Sequence, residues 1–368
     1  MTLPPLDLEG IATVLTAVRQ YGANTPAYAA LGDIKMTLHA NGELLIGNYT
    51  VLAQYNNRWN AVERVCRGLI IHWPTATVRA WGFSKFFNLG QRPETAITAL
   101  PDGPLEVTQK LDGSLGIGYW DGNKWAVATR GSFTSDQADW ATKVLRERLD
   151  LTTIVPGATL LFEIISPANR IVLDYGERAE LVLIGARDTS LDDLPYAQVA
   201  TIAQQIHCNV VPTVETPSLA DLIHMAEEVH GEEGWVVRFA QGLRVKLKTT
   251  EYIRLHRLVT HFSARTIWEH LAAGLAIEPL LEGVPDEFYN WVARTSAGLR
   301  VQFQVIEDVA RAALTPALTL PTRREQAEAI RKTTYPSITF RMLDNHPYSA
   351  QIWKMIRPTA HVETEEAS

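Results

Sequence analysis

The hydrophobic pattern of this chain changes character near residue 251, and no single-class fold accommodates both parts. Upstream, short apolar runs of strand length alternate with turn signals. Met36, Leu38, Leu45 and Ile46 flank Asn41-Gly42, and Trp120 and Trp125 flank Asp121-Gly122. Such dipeptides supply the positive-φ residues that tight hairpins need. Strands are predicted over 67–72, 77–82, 105–109, 115–120, 124–129, 158–165 and 180–186, and a last hairpin, 235–239 with 243–248, turns through Gln241-Gly242. Helical spacing interrupts them at 7–22, 135–149, 196–206 and 218–230. From Glu251 onward helical spacing dominates, predicting helices over 251–260, 264–273, 286–298, 300–313 and 322–332, with Pro316, Pro321 and Pro336 in the loops between. The expected fold is therefore α+β: antiparallel sheets with flanking helices over residues 1–255, then an all-α domain over 256–368.

Bulk properties narrow the class of function. The chain has 368 residues, of which 46% are hydrophobic and 20% charged, ample for a buried core and against disorder as the main state. Its longest apolar run, around Ala158–Phe162, falls far short of the ~20 residues a membrane helix needs. No basic region opens the N-terminus, so no signal peptide is expected there. The net charge of −7, from 34 basic and 41 acidic residues, argues against a protein that coats nucleic acid nonspecifically, while leaving room for a local basic cleft. Two cysteines, Cys66 and Cys208, cannot make a disulfide framework, and a cytoplasmic, reducing location is expected.

The sharpest local motif is Lys110-Leu111-Asp112-Gly113-Ser114. Alone it is weak, because Asp-Gly is also ordinary turn chemistry. Its companions carry more weight. Lys246 and Lys248 stand two apart on a predicted strand and so share one face of the sheet. Two cations on one face are unfavourable unless an anion lies there, the alternative being a solvated pair. Glu163 interrupts the apolar run Leu160–Ile165, where a charge needs a partner. A nucleotide ribose or metal-bound water would serve, and so would a buried ion pair with Arg170. Glu233 opens another apolar strand before Gly234. Asp112, Glu163 and Glu233 together suit a hydrated Mg2+ (or Mn2+), which keeps several waters and takes few carboxylates.

Other features point away from familiar chemistries. His256 and His261 are five apart and lack the spacing of a helical zinc pair. No Gly-x-x-x-x-Gly-Lys-Ser/Thr loop is present, and Gly116 with Gly118 does not complete a dinucleotide fingerprint. Cys66 reads as a packed strand residue rather than a nucleophile.

Read in order, Cys66-Arg67-Gly68, Lys85-Phe86-Phe87-Asn88-Leu89, the Lys110 motif, Gly131-Ser132, the Phe162–Tyr175 block, Glu233-Gly234-Trp235-Val236 and the stretch from Lys246 through Tyr252 to His256 resemble the covalent nucleotidyltransferases. The set is closest to the phage T4 RNA ligase 1 family and spans about residues 45–256. The family often places Lys before the Gly-Ser element, where this chain has Arg130. The resemblance implies an adenylation domain and an ATP-dependent RNA ligase. Lys110 would be the nucleophile that takes AMP. Lys246 and Lys248 would act on the phosphates and lower the pKa of Lys110. Arg67, Lys85 and Arg130 would supply further nucleotide contacts, and Tyr49 one more. Phe86 is either an adenine-pocket wall or core. ATP and a divalent ion are the implied cofactors. The implied substrate is RNA with 5′-phosphate and 3′-hydroxyl ends, nicked tRNA among them, with no membrane and no obligate protein partner.

Two rivals stand beside this reading. A DNA ligase or capping guanylyltransferase usually follows the lysine-pair strand with a β-rich domain, and here helical sequence follows. A non-ligating RNA-binding repair module would not need every charged motif position, and all are present. The helical part carries Arg323, Arg324, Arg331, Lys332 and Arg341, which either grip RNA or are solvated helix faces.

Overall fold

The computed structural model describes residues 4–102, 106–169, 171–215, 218–239, 242–260, 263–281 and 286–358. Arg170, Gln241, His261 and the tail beyond residue 358 lie outside the described residues. The chain divides into two compact units, Met1–Val259 and Thr260–Ser368. The first combines antiparallel sheets with flanking helices and the second is helical, so the fold is α+β.

Three sheets build the first unit. β1 (Ile34–Leu38), β2 (Leu44–Tyr49), β3 (Arg67–His72) and β4 (Thr77–Trp81) form an antiparallel meander. Its first turn falls at Asn41-Gly42, with Gly42 at φ 77°. Helix α1 (Pro5–Tyr21) covers the meander through Ile11, Val14 and Val18, which pack with Ile34, Leu45, Leu69 and Trp81. The short helices α2 (Val51–Tyr55) and α3 (Ala61–Val65) lie between β2 and β3.

Of the remaining strands, β5 (Phe87–Asn88) and β6 (Glu106–Gln109) join the last hairpin. β7 (Ser114–Trp120), β8 (Trp125–Ala128), β9 (Thr159–Ile165), β10 (Glu180–Arg187) and β11 (Asn209–Val210) make the second sheet, in the order β11-β10-β9-β7-β8. The third sheet runs β5-β13-β12-β6, with β12 at Gly234–Arg238 and β13 at Arg244–Lys248. Among the described strands the edge pairs β10–β11 and β5–β13 are parallel and the rest antiparallel.

Strand alternation decides which side chains reach the site. On β9, Leu160, Phe162 and Ile164 enter the core beneath α4 (Asp136–Arg148) and α5 (Tyr196–Gln205), with Val144, Leu145 and Val199. Leu161, Glu163 and Ile165 therefore take the opposite face. On the last hairpin, Trp235, Val237 and Val245 pack with Leu222 and Ala226 of α6 (Leu219–Glu228). Lys246 and Lys248 are thereby left on the other face, opposite Val236 and Gly234.

The helical unit follows α7 (Thr250–Thr260) and comprises α8 (Ala264–Ala272), α9 (Glu278–Leu281), α10 (Asp286–Leu318), α11 (Arg323–Arg331), α12 (Pro336–Leu343) and α13 (Ser349–Met355). Ile306 and Ala310 of α10 pack on Ile338 and Ile352. The sequence predicts two helices where α10 is continuous. Gly298 stands at the predicted break with nothing within 4 Å of where a Cβ would sit, and a lone glycine costs only about 1 kcal/mol in a helix. Pro316 lies inside the last turn of α10, and Pro336 opens α12 at a position where a missing N–H is harmless. Neither sits in a loop as predicted.

Gly234 is where the third sheet tolerates no side chain. Its φ is 134°, and a Cβ there would lie 2.1 Å from the Leu247 carbonyl oxygen. Gly234→Ala is expected to destabilise the chain by at least about 1–3 kcal/mol, the usual scale of a strained backbone position. Urea unfolding measures this, and a variant as stable as the parent would show that the strand pair has room.

Candidate active site

Lys110 follows β6 directly, and its amide donates to the Gly234 carbonyl at 2.7 Å. This bond anchors the lysine to the start of β12, where Glu233 lies. The Lys110 ammonium meets Glu233 Oε2 at 2.7 Å, and Lys248 Nζ meets Oε1 of the same carboxylate at 3.1 Å. Glu233 is 3% exposed, so a buried carboxylate bridges two ammonium groups drawn from different strands. A buried carboxylate with only one such partner would be far less favourable. The sequence reading put strand lysines beside the Lys110 amine. The structure places a carboxylate there, with Lys248 on its far side.

Glu163 reaches the same region from β9. Its Oε1 accepts the Gly113 amide at 3.1 Å. Desolvation by burial pushes its carboxyl up to about 7, and the nearby charge of Glu233 pushes the same way, against Lys110, Arg67 and the Gly113 amide. Gly113 has to be glycine, because a Cβ there would fall 2.5 Å from the Ile164 carbonyl oxygen.

The three carboxylates predicted to hold a metal do not form a ligand set. Among the described residues no group of three or more His, Cys, Asp or Glu side chains is placed to hold an ion. Asp112 is already committed to protein donors. Its Oδ2 accepts the amides of Val172 and Leu173 at 2.8 and 2.7 Å, and its Oδ1 accepts the Tyr252 hydroxyl at 2.7 Å. Its own amide donates to the Tyr175 hydroxyl at 3.0 Å. Asp112 therefore pins the segment after β9 and helix α7 to the Lys110 loop. Glu163 and Glu233 remain close enough to interact electrostatically.

The predicted cations share a setting that their sequence gives no hint of, for each lies against an aromatic ring. Lys246 Nζ is 5.3 Å from the centre of Phe86, and the Arg67 guanidinium is 5.7 Å from the same ring. Phe86 is thus a support for cations. Lys248 sits 4.9 Å from Tyr252. Arg130 lies 4.9 Å from the Tyr49 ring and donates to its hydroxyl at 2.9 Å. Lys85, only 5% exposed, faces Tyr49, Trp59 and Phe87 at 5.4, 4.9 and 5.5 Å. A desolvated contact such as those of Lys85 is worth about 2 kcal/mol, and an exposed one such as that of Arg130 about 0.5–1 kcal/mol.

A family model described as RNA ligase, of the T4 RNA ligase 1 type, matches residues 65–252, just over half of the chain. The chain belongs to this RNA ligase family. The matched region holds Lys110, both strand lysines, Arg67, Lys85, Arg130 and the three carboxylates, while Tyr49 and Trp59 precede it. A provisionally named RNA ligase of Thermovibrio ammonificans is 27% identical over 227 residues, 57% of this chain and 59% of its own length. A provisionally named bifunctional polynucleotide kinase/RNA ligase of Autographa californica nuclear polyhedrosis virus is 24% identical over 251 residues, 61% of this chain. The chain spans only 35% of that relative. Among solved structures, an archaeal ATP-dependent RNA ligase aligns over 89% of both chains, with 14% identity and a TM-score of 0.47. A Naegleria gruberi RNA ligase mutant with ATP and Mn aligns over 42% of this chain and 51% of its own, with 19% identity and a TM-score of 0.36.

Sequence reasoning missed Trp59, which lies in a loop with no motif of its own, and the contacts of Tyr252, whose partner is 140 positions away. In the helical unit, three of the predicted RNA-gripping cations have partners within the unit. Arg323 pairs with Asp344, Arg324 with Glu328 at 3.4 Å, and Arg341 donates to the Pro347 carbonyl at 2.8 Å. Among the described residues no helix is long and apolar enough to cross a membrane.

The raised Glu163 carboxyl has a consequence for stability. Between the ordinary value of 4.5 and about 7, the folded chain holds a proton that the unfolded chain releases. Stability attributable to this group is present below that window and is lost as pH rises through it. Thermal unfolding at pH 5 and pH 8 should therefore show a larger drop for the parent than for Glu163→Gln. Equal drops would show that Glu163 titrates in its ordinary range.

Proposed function

We propose that the chain is an ATP-dependent RNA ligase acting through a covalent lysine–AMP intermediate. The observation that supports this most is the junction at Glu233, where one buried carboxylate holds the Lys110 ammonium from one side and Lys248 from the other. A lysine fixed by its backbone and ion-paired at its tip to a carboxylate that also holds Lys248 suits attack on a phosphate better than a structural role.

The chemistry follows in three steps. The Lys110 ammonium gives a proton to water and leaves Glu233, and its lone pair attacks the α-phosphorus of ATP. Pyrophosphate departs and a phosphoramidate-bound AMP remains. AMP then passes to the 5′-phosphate of an RNA end, restoring Lys110. In the last step a 3′-hydroxyl attacks the activated phosphate and AMP leaves. Negative charge develops on phosphate oxygens in every step. Lys246, Lys248, Arg67, Lys85 and Arg130 are the groups that would stabilise it. The divalent ion, Mg2+ or Mn2+, enters with ATP as part of the substrate. Glu163 would contact the ribose or a water on that ion. Asp112 would keep the Lys110 loop in register with Tyr252 and the segment at Val172–Leu173. Broken tRNA is the proposed natural substrate and the cytoplasm the proposed location, in keeping with two free thiols.

Lys110→Ala should abolish transfer of label from α-labelled ATP to the protein, yet still join pre-adenylated RNA at a measurable rate. Full labelling of that variant would sink the assignment. Lys246→Ala and Lys248→Ala should each slow protein adenylation by about 10²–10³, the scale of one preorganised charge contact. Parental rates in both would reduce them to surface lysines. Offering matched 5′-phosphorylated RNA and DNA ends tests the substrate, and preferential adenylation of DNA would overturn the RNA assignment.

A further inference from the structure

We infer that Trp59 is a positioning residue that aims Lys85 at the terminal phosphates of ATP. The inference rests on the ligase reading above, in which Lys85 is a phosphate contact, and adds a residue outside the matched motif set.

Lys85 is a lysine side chain at 5% exposure, and a buried ammonium is unfavourable without compensation. Three rings surround it, and Trp59 gives the shortest contact, 4.9 Å from Nζ to the ring centre. Indole is also the strongest of the three ring types as a cation partner. Trp59 in turn braces the other two walls. It meets Tyr49 edge-on at 5.0 Å and Phe87 at 5.4 Å, with interplanar angles of 82° and 77°. Tyr49 also carries Arg130, so a shift of the indole would disturb two of the proposed phosphate contacts together.

The backbone holds Trp59 from both sides. The preceding Arg58 donates its amide to the Ala53 carbonyl at 2.9 Å and pairs through its guanidinium with Asp33 at 2.9 Å. The following Asn60 caps α3, exchanging bonds of 2.9 and 3.0 Å with Glu63. Glu63 is itself fully buried and also reaches Arg58. An indole held this firmly can impose a direction on a flexible four-carbon side chain.

The cage also lies next to the chemistry. Phe87, its third wall, belongs to β5, which pairs with β13 and sets Asn88 beside Lys246. In the ligase reading Lys85 is a phosphate contact, and we assign it to the pyrophosphate that leaves rather than to AMP. Only the first step uses a triphosphate. Loss of Trp59 should therefore affect protein adenylation and spare the joining of pre-adenylated RNA.

The test measures KM and kcat for ATP in protein adenylation by the full-length chain, together with the rate on pre-adenylated RNA. Trp59→Leu should raise KM for ATP about tenfold or more and leave the rate on pre-adenylated RNA within about twofold. Trp59→Phe, which keeps a weaker ring, should fall between Trp59→Leu and the parent. In a Lys85→Met background, Trp59→Leu should add little further loss. An unchanged KM in Trp59→Leu overturns the inference, and so do equal losses in both reactions. Trp59→Phe indistinguishable from the parent also overturns it, and this arm stands even if the leucine variant does not fold. A parent chain that takes no label from ATP refutes the ligase reading itself, which is a different result from labelling that ignores Trp59.

Discussion

The active-site region is organised around the problem of keeping like charges together. Lys110, Lys246, Lys248, Lys85, Arg67 and Arg130 are drawn from two sheets and the loops beside the strands, and their mutual repulsion works against the fold. Glu233 offsets it at the centre by bridging Lys110 and Lys248. Aromatic faces offset it around the edge. A ring attracts a cation without supplying a countercharge, so it steadies the cation while leaving its positive charge in place.

The same logic explains why the glycines beside the charged motifs are fixed. Gly113 lets the Lys110 loop lie flat against β9 so that its amide reaches Glu163, and Gly234 lets β12 approach β13 closely enough for Glu233 to face Lys248. Asp112 acts on a larger scale. By accepting three hydrogen bonds from two distant parts of the chain, it makes the position of Lys110 depend on the segment after β9 and on α7.

Local signals carried most of the fold. Asn41-Gly42 and Asp121-Gly122 mark hairpins because their chemistry is local, and Lys246 with Lys248 share a face because strand period is fixed at two. The two-residue strands β5 and β11 left no trace, since two residues show no periodicity. The predicted break between 298 and 300 falls inside the continuous α10, where helical spacing runs on past Gly298. At the site, Glu163 and Glu233 stood out as charges placed in apolar strands, which marked them as residues needing partners. The partners themselves were not legible. Whether a carboxylate such as Asp112 faces an ion or backbone amides is decided by chain segments some sixty residues away, and a cage such as that of Lys85 arises from a loop and two strands with no shared pattern.

Cys66 is buried and Cys208 half-buried, and this gives both thiols an unusual chemical quietness. Cys66 has no exposed surface, and desolvation pushes both its thiol and that of Cys208 up to about 12. At neutral pH such groups are almost wholly in the thiol form, whereas thiolate is the form that oxidants and alkylating reagents attack. The molecule therefore offers a nearly silent background for thiol chemistry. A single cysteine introduced on an exposed face of the helical unit would be the dominant reactive sulfur, and a spectroscopic label attached there would follow that unit alone while the native pair stayed dark.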